Sequence, residues 1–182
     1  MKIRLASDLQ EDSIVDGLGI RTVIWTQGCS HNCPSCHNPS THDFSGGEEV
    51  ELDDVIYRLE NLVGQDGVTF SGGDPMFQPK QCAVLARKVH DLNMNVWAYT
   101  GFTYEQLLNS KNKDILDFLN NIDVLIDGKF DISKKSMDIR FRGSTNQRVI
   151  DVKKSLNQNK IIEIPVDDYK PTSNMKKEKL YI

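Results

Sequence analysis

A chain of 182 residues with 38% apolar and 26% charged side chains has the composition of a globular protein and the length of one domain, with enough apolar material to build a core. Its 22 basic and 26 acidic residues leave a net charge of −4, which excludes a general electrostatic attraction to nucleic acid. No window reaches the apolar length of a membrane span and residues 1–8 lack a signal-peptide stretch, so the sequence predicts a cytoplasmic protein with no membrane contact.

Ile3 and Leu5 alternate at the start, and Asp16, Gly17 and Gly19 mark a loop. Residues 22–26, β-branched and aromatic, predict a strand that stops at Gly28. Three of the four cysteines follow at once, in Cys29-Ser-His-Asn-Cys33-Pro-Ser-Cys36. Thiols this close in a reducing compartment read as metal ligands rather than disulfide partners, and thiolate suits iron–sulfur clusters or zinc. Three thiolates on a four-iron cube leave one iron open for chemistry. A Cys3His zinc site completed by His31, His37 or His42 is the alternative on these residues alone.

Residues 37–49 are polar and read as a loop. The apolar spacing of Leu52, Val55, Ile56, Leu59, Leu62 and Val63 predicts a helix over 52–63, ended by Gly64. Residues 68–70 form the next strand and run into Ser71-Gly72-Gly73-Asp74-Pro75. A helix over 79–92 buries Cys82 as a small apolar side chain, and a strand over 96–100 stops at Gly101. Two short helices, broken around 110–112, fill 104–120. A fourth strand, 124–126, ends in Asp127-Gly128-Lys129-Phe130. Short strands are expected at 139–141, 149–152 and 160–164. The organisation is one domain over 1–166 and a polar, mobile tail over 167–182 carrying Lys170, Lys176, Lys177 and Lys179. Strands that alternate with helices and end in Gly or Asp predict an α/β fold with a parallel sheet and its ligand site at the strand ends.

Two motifs together narrow the chemistry. The CxxxCxxC run resembles the signature of the radical S-adenosylmethionine (SAM) superfamily, and Gly72-Gly73-Asp74, about forty residues on at a strand end, resembles that superfamily's Gly-Gly-Glu motif. With Asp127-Gly-Lys-Phe130 and Arg142-Gly-Ser-Thr-Asn-Gln147, residues of about 10–150 look like the activating enzymes of anaerobic ribonucleoside-triphosphate reductase. The resemblance implies a shortened, partial β/α barrel with parallel strands and outer helices. It implies a [4Fe-4S] cluster on Cys29, Cys33 and Cys36 that cleaves SAM and generates a glycyl radical on the reductase. The electron would come from a flavodoxin-like or ferredoxin-like donor. Ser35, Cys36 and His37 would touch the adenosine, and Gly72, Gly73 and Asp74 the amino group. Asp127, Lys129 and Arg142 are further candidates for SAM or partner contacts. Two positions depart from the superfamily pattern: Ser35 stands where an aromatic residue is usual, and Asp74 where Glu is. An activase of another glycyl-radical enzyme, such as pyruvate formate-lyase, would share the cluster and SAM site.

Overall fold

The computed structural model describes residues 1–168, so the four tail lysines lie outside the described residues. Its strands are β1 (Lys2–Leu5), β2 (Gln10–Ser13), β3 (Arg21–Thr26), β4 (Glu48–Glu51), β5 (Gly67–Gly72), β6 (Asn95–Tyr99), β7 (Val124–Asp127) and β8 (Arg148–Asp151). All eight join one sheet in the order β4-β1-β3-β5-β6-β7-β8, with β2 on β3. The four central strands β3, β5, β6 and β7 are parallel, and each is followed by the helix or loop the sequence predicts. The helices are α1 (Leu52–Glu60), α2 (Pro79–Asp91), α3 (Tyr104–Leu108), α4 (Lys113–Asn120) and α5 (Val152–Gln158).

The sheet is mixed, with β4 at one end and β8 at the other, and its outer strands run antiparallel. The sequence did not reveal β4, because Glu48, Glu49 and Glu51 look like loop. Pairing with β1 supplies the reason, since Lys2 and Arg4 face Glu49 across the strands at 3.4 and 3.6 Å. A charged edge of this kind also discourages pairing with other chains. Helix α5 was likewise unforeseen. Asp151 ends β8 and caps the helix in one step, its carboxylate accepting from the Lys154 N–H at 2.9 Å. The segment 160–164 contributes only an isolated bridge, Glu163 to Ile150, and 139–141 is irregular. Helix α1 stops at Glu60 rather than 63, where the Asn61 N–H turns back onto the carbonyls of Arg58 and Leu59.

Alternation along the strands divides the sheet into two unlike faces. Ile24, Phe70, Ala98 and Leu125 point to the helices and pack on Leu59, Leu85, Val89 and Phe118 in the main core. The opposite face carries Trp97, Val124, Ile126 and Val149 in a smaller cluster closed by Val166. At its base lies Arg21, fully buried. Its guanidinium donates to the Thr69 hydroxyl at 2.6 Å, the Asn95 amide oxygen at 2.9 Å and the Val68 carbonyl at 2.8 Å, and sits 5.1 Å from the Trp97 ring centroid. Burial pulls its pKa down to about 10, so charge here is tolerated only because every donor has a partner. Replacing Arg21 with Met should cost about 3 kcal/mol, since it orphans buried acceptors that no water replaces. The expected result is a lower urea midpoint with an unchanged slope.

Candidate active site

The three clustered cysteines hang from the end of β3 in a loop whose base is tied shut. Beyond Thr26, the Gln27 amide donates to the carbonyls of Ser40 at 3.2 Å and Asp43 at 2.7 Å. The Gly28 N–H reaches the Thr41 carbonyl at 2.8 Å, and the Cys29 N–H the His42 carbonyl at 3.1 Å. Between these ties, Asn32 (φ 49°) and Ser35 (φ 59°) adopt the left-handed conformation, each one residue before a cysteine. Asn accepts that conformation readily and Ser less so. It turns the chain sharply at both places, and the Cys36 N–H closes the second turn on the Cys33 carbonyl at 3.1 Å.

Cys29, Cys33 and Cys36 are free and half-buried. Burial pushes the Cys29 and Cys33 thiols up. The backbone N–H of His31 opposes this at Cys29, and that of Phe130, helped by the nearby Lys129 ammonium, at Cys33. The Cys36 sulfur accepts from the Asn38 N–H at 3.4 Å. A backbone N–H thus meets the Cys36 sulfur, and those of His31 and Phe130 partly offset the burial of the other two, which suits thiolate ligands of an iron–sulfur cluster. Among the described residues no three ligating side chains already converge on one point. A four-iron cube does not ask for that, because each thiolate holds a different corner. Of the three histidines that could complete a zinc site, His31 is engaged elsewhere.

That engagement is with Asp74. The sequence places Asp74 as a partner for the SAM amino group, but the structure encloses its carboxylate, 1% exposed, among protein donors. Oδ1 accepts from the Met76 N–H at 2.9 Å. Oδ2 lies 2.7 Å from His31 Nε2 and accepts from the Thr100 hydroxyl at 2.8 Å and the Gly101 N–H at 2.9 Å. The two glycines before it also serve the fold. A Cβ on Gly73 would stand 2.4 Å from the Gly28 carbonyl oxygen, and one on Gly72 2.5 Å from that of Thr26. Here glycine permits the ends of β3 and β5 to touch, and the same contact carries the Asp74 N–H to the Gly28 carbonyl at 3.0 Å.

Two clefts flank the cysteine loop. One, of about 610 Å³, runs from Pro34 past Thr103, Asp127, Lys129 and Arg148. The other, of about 380 Å³, opens over the strand ends at Trp25, Ser71 and Tyr99 and is bordered by Asp16, His37 and Arg142. Phe130 lines both, with its ring 4.8 Å from the His37 ring. His37 is thus brought to a cleft, whereas Ser35 is exposed and lines neither.

The three charged candidates part ways. Lys129 is exposed in the larger cleft. Asp127 is 1% exposed and fixed by the Tyr104 N–H at 2.7 Å and by Arg148, which also grips Glu105 at 2.8 Å. That grip holds the Glu105 carboxyl down to about 2. Arg142 pairs with Asp167, whose carboxylate also accepts from the Arg140 N–H at 2.8 Å. The sequence did not single out His31 as a partner of Asp74, or Arg148. A Cys-x-His-x-Cys spacing was the available signal for the first, and nothing local marked the second.

Comparison with known proteins bears on these residues as a set. Residues 15–150 match the family model described as a 4Fe-4S single cluster domain. The anaerobic ribonucleoside-triphosphate reductase-activating protein of Salmonella typhimurium is 34% identical over 144 residues, covering 75% of this chain and 91% of that one. Its namesake from Vibrio cholerae is 35% identical over 143 residues, covering 74% and 89%. Among solved structures, QueE from Escherichia coli aligns over 56% of this chain and 54% of its own with a TM-score of 0.46 and 13% identity. The matched span runs from the loop before β3 to β8 and includes the three-cysteine loop, Asp74 and both clefts. The chain belongs to the family of anaerobic ribonucleoside-triphosphate reductase-activating proteins, built on a 4Fe-4S single cluster domain.

Proposed function

We propose that this chain is a radical SAM activase that installs the glycyl radical of an anaerobic ribonucleoside-triphosphate reductase, with Cys29, Cys33 and Cys36 holding its [4Fe-4S] cluster. The observation that supports this reading most directly is the loop of three half-buried thiols between two clefts at the ends of parallel strands. When bound, the cluster supplies the electron that splits SAM into methionine and a 5′-deoxyadenosyl radical, which takes a hydrogen atom from a glycine of the partner.

The residues around the loop divide the remaining work. The rings of His37 and Phe130, in contact beside Cys36, form the surface for the adenine and replace the aromatic residue missing at Ser35. Backbone at Ser35, Cys36 and His37 reaches the rest of the adenosine. Lys129, exposed across Phe130, offers a cation to the SAM carboxylate. The amino group is left to backbone carbonyls around Gly72 and Gly73, because the neighbouring Asp74 carboxylate is enclosed. The sheet does not close beyond β8, so a loop of the reductase has a way in past the segment 127–147, where it would also exclude water from the radical. The setting is cytoplasmic, with a flavodoxin-like or ferredoxin-like protein as electron donor. Among the described residues no helix is long and apolar enough to cross a membrane.

Three measurements test this. After anaerobic reconstitution, Cys29→Ala, Cys33→Ala and Cys36→Ala should each lack an intact four-iron cluster while Cys82→Ala keeps it. Iron and sulfide analysis decides, and normal cluster content in any of the first three removes that cysteine from the ligand set. Phe130→Ala should weaken SAM about tenfold in an anaerobic titration, the worth of one lost aromatic face. Reduced protein, SAM and the cognate reductase, mixed without oxygen, should give a glycyl doublet by electron paramagnetic resonance together with methionine and 5′-deoxyadenosine. A doublet formed only on pyruvate formate-lyase would transfer the assignment to that partner, and no SAM consumption with either would end the catalytic reading.

A further inference from the structure

His31 stands midway between Cys29 and Cys33, in the most constrained part of the loop, yet its side chain turns away from solvent. Only 8% of it is exposed. The ring lies against Phe102 edge-on, with centroids 4.5 Å apart, and near Phe77 at 5.8 Å. Its Nε2 meets the enclosed Asp74 carboxylate at 2.7 Å. One wall is shaped for it: a Cβ on Gly101 would fall 2.4 Å from the ring. Since the glycine has no positive φ there, its lack of a side chain is accounted for by the histidine and not by the backbone.

This socket is assembled from elements distant in sequence. Asp74 follows β5, Thr100 and Gly101 follow β6, and Phe77 and Phe102 come from the turns beyond each. We infer that His31 is a positioning residue for the iron–sulfur cluster: seated on Asp74 and Gly101, it locks the Cys29–Cys33 half of the ligand loop to the ends of β5 and β6. The inference rests on the reading that these cysteines hold a [4Fe-4S] cluster. It assigns Asp74 to the loop that carries the cluster, through His31. His31 itself touches no iron.

The mechanical consequence is specific. Two of the loop's anchors, at Gly28 and Cys29, lie at its base, so without His31 the stretch from Ser30 to Pro34 keeps, among the described residues, only the approach of the Cys33 thiol to Phe130. The loop would open more often, and chelators would reach the cluster through the opened state. A residue that supported only the overall fold would instead lower the melting temperature of the metal-free protein and leave cluster release unchanged well below that temperature.

The test uses full-length protein reconstituted anaerobically, with His31→Ala, His31→Gln, Gly101→Ala and the double variant His31→Ala/Gly101→Ala. Loss of the cluster's absorbance to an iron chelator gives a release rate, and the reduced cluster's electron paramagnetic resonance spectrum reports its geometry. His31→Ala should release iron about tenfold faster or more, the worth of one hydrogen bond to a carboxylate together with its packing, with shifted g-values. His31→Gln, which keeps an N–H donor, should recover most of the difference. Gly101→Ala should reproduce the fault from the other side, because its new Cβ collides with the ring. In the double variant the collision partner is gone, so its release rate should match that of His31→Ala alone. Wild-type release and spectrum in both single variants, or additive effects in the double, would overturn the inference. A wild-type protein that takes up no cluster would instead fail the functional reading beneath it, which the cysteine variants test separately.

Discussion

A carboxylate taken out of water must be given donors, and those around Asp74 come from three places in the chain. Met76 supplies one from the turn beyond β5, Thr100 and Gly101 supply two from the end of β6, and His31 supplies the fourth from the cysteine loop. No two of these segments are neighbours in sequence. The cost of leaving a buried charge short of partners, on the order of several kcal/mol, is what makes their meeting obligatory rather than incidental. The β3 and β5 ends touch through Gly72 and Gly73, which delivers Asp74 to this point.

The same arrangement explains why the catalytic equipment gathers on one rim. The central strands are parallel and in register from Arg21, Gly67 and Asn95 at the bottom to Thr26 and Gly72 at the top. Their carboxyl ends therefore finish at one level, where the loops after β3, β5, β6 and β7 face one another. The bottom is closed by buried Arg21 under Trp97. Between floor and rim the sheet face away from the helices has only a small apolar cluster, and it gives way upward to Trp25, Ser71 and Tyr99 at the mouth of a cleft. Antiparallel β8 ends the sheet on one side, and the ion pairs of Arg148 with Asp127 and Glu105 brace that edge where the larger cleft begins.

What could be read from the sequence was whatever short-range pattern determines. The four parallel strands, the break between α3 and α4, the cysteine loop and the glycine turn after β5 each announce themselves within a few residues. The edges could not be read that way. β4 is made a strand by the basic residues of β1 nearly fifty positions away, and α5 begins only because Asp151 finishes a strand that needs β7 to exist. Asp74 shows the limit most clearly. Its position beside two glycines at a strand end suggests a ligand carboxylate, and nothing local announces the four protein donors that the fold gathers around it. Phe130 illustrates the converse case, since the sequence offered it as a strand terminus and the structure places its ring on His37.

The loop itself is not a relaxed segment waiting for metal. Two left-handed residues, Asn32 and Ser35, cost on the order of 1 kcal/mol each relative to ordinary backbone, with Ser35 the dearer of the two. A free loop would unwind to recover that energy. It is held at the base by Gln27, Gly28 and Cys29, and at its centre by His31. Burial meanwhile pushes the Cys29 and Cys33 thiols up, a penalty that any thiolate ligand formed there has to offset. Preorganisation lowers the other part of that cost: the backbone is already bent, and the Asn38 N–H already points at the Cys36 sulfur. The fold thus supplies beforehand what a flexible CxxxCxxC peptide would have to provide at the moment of binding.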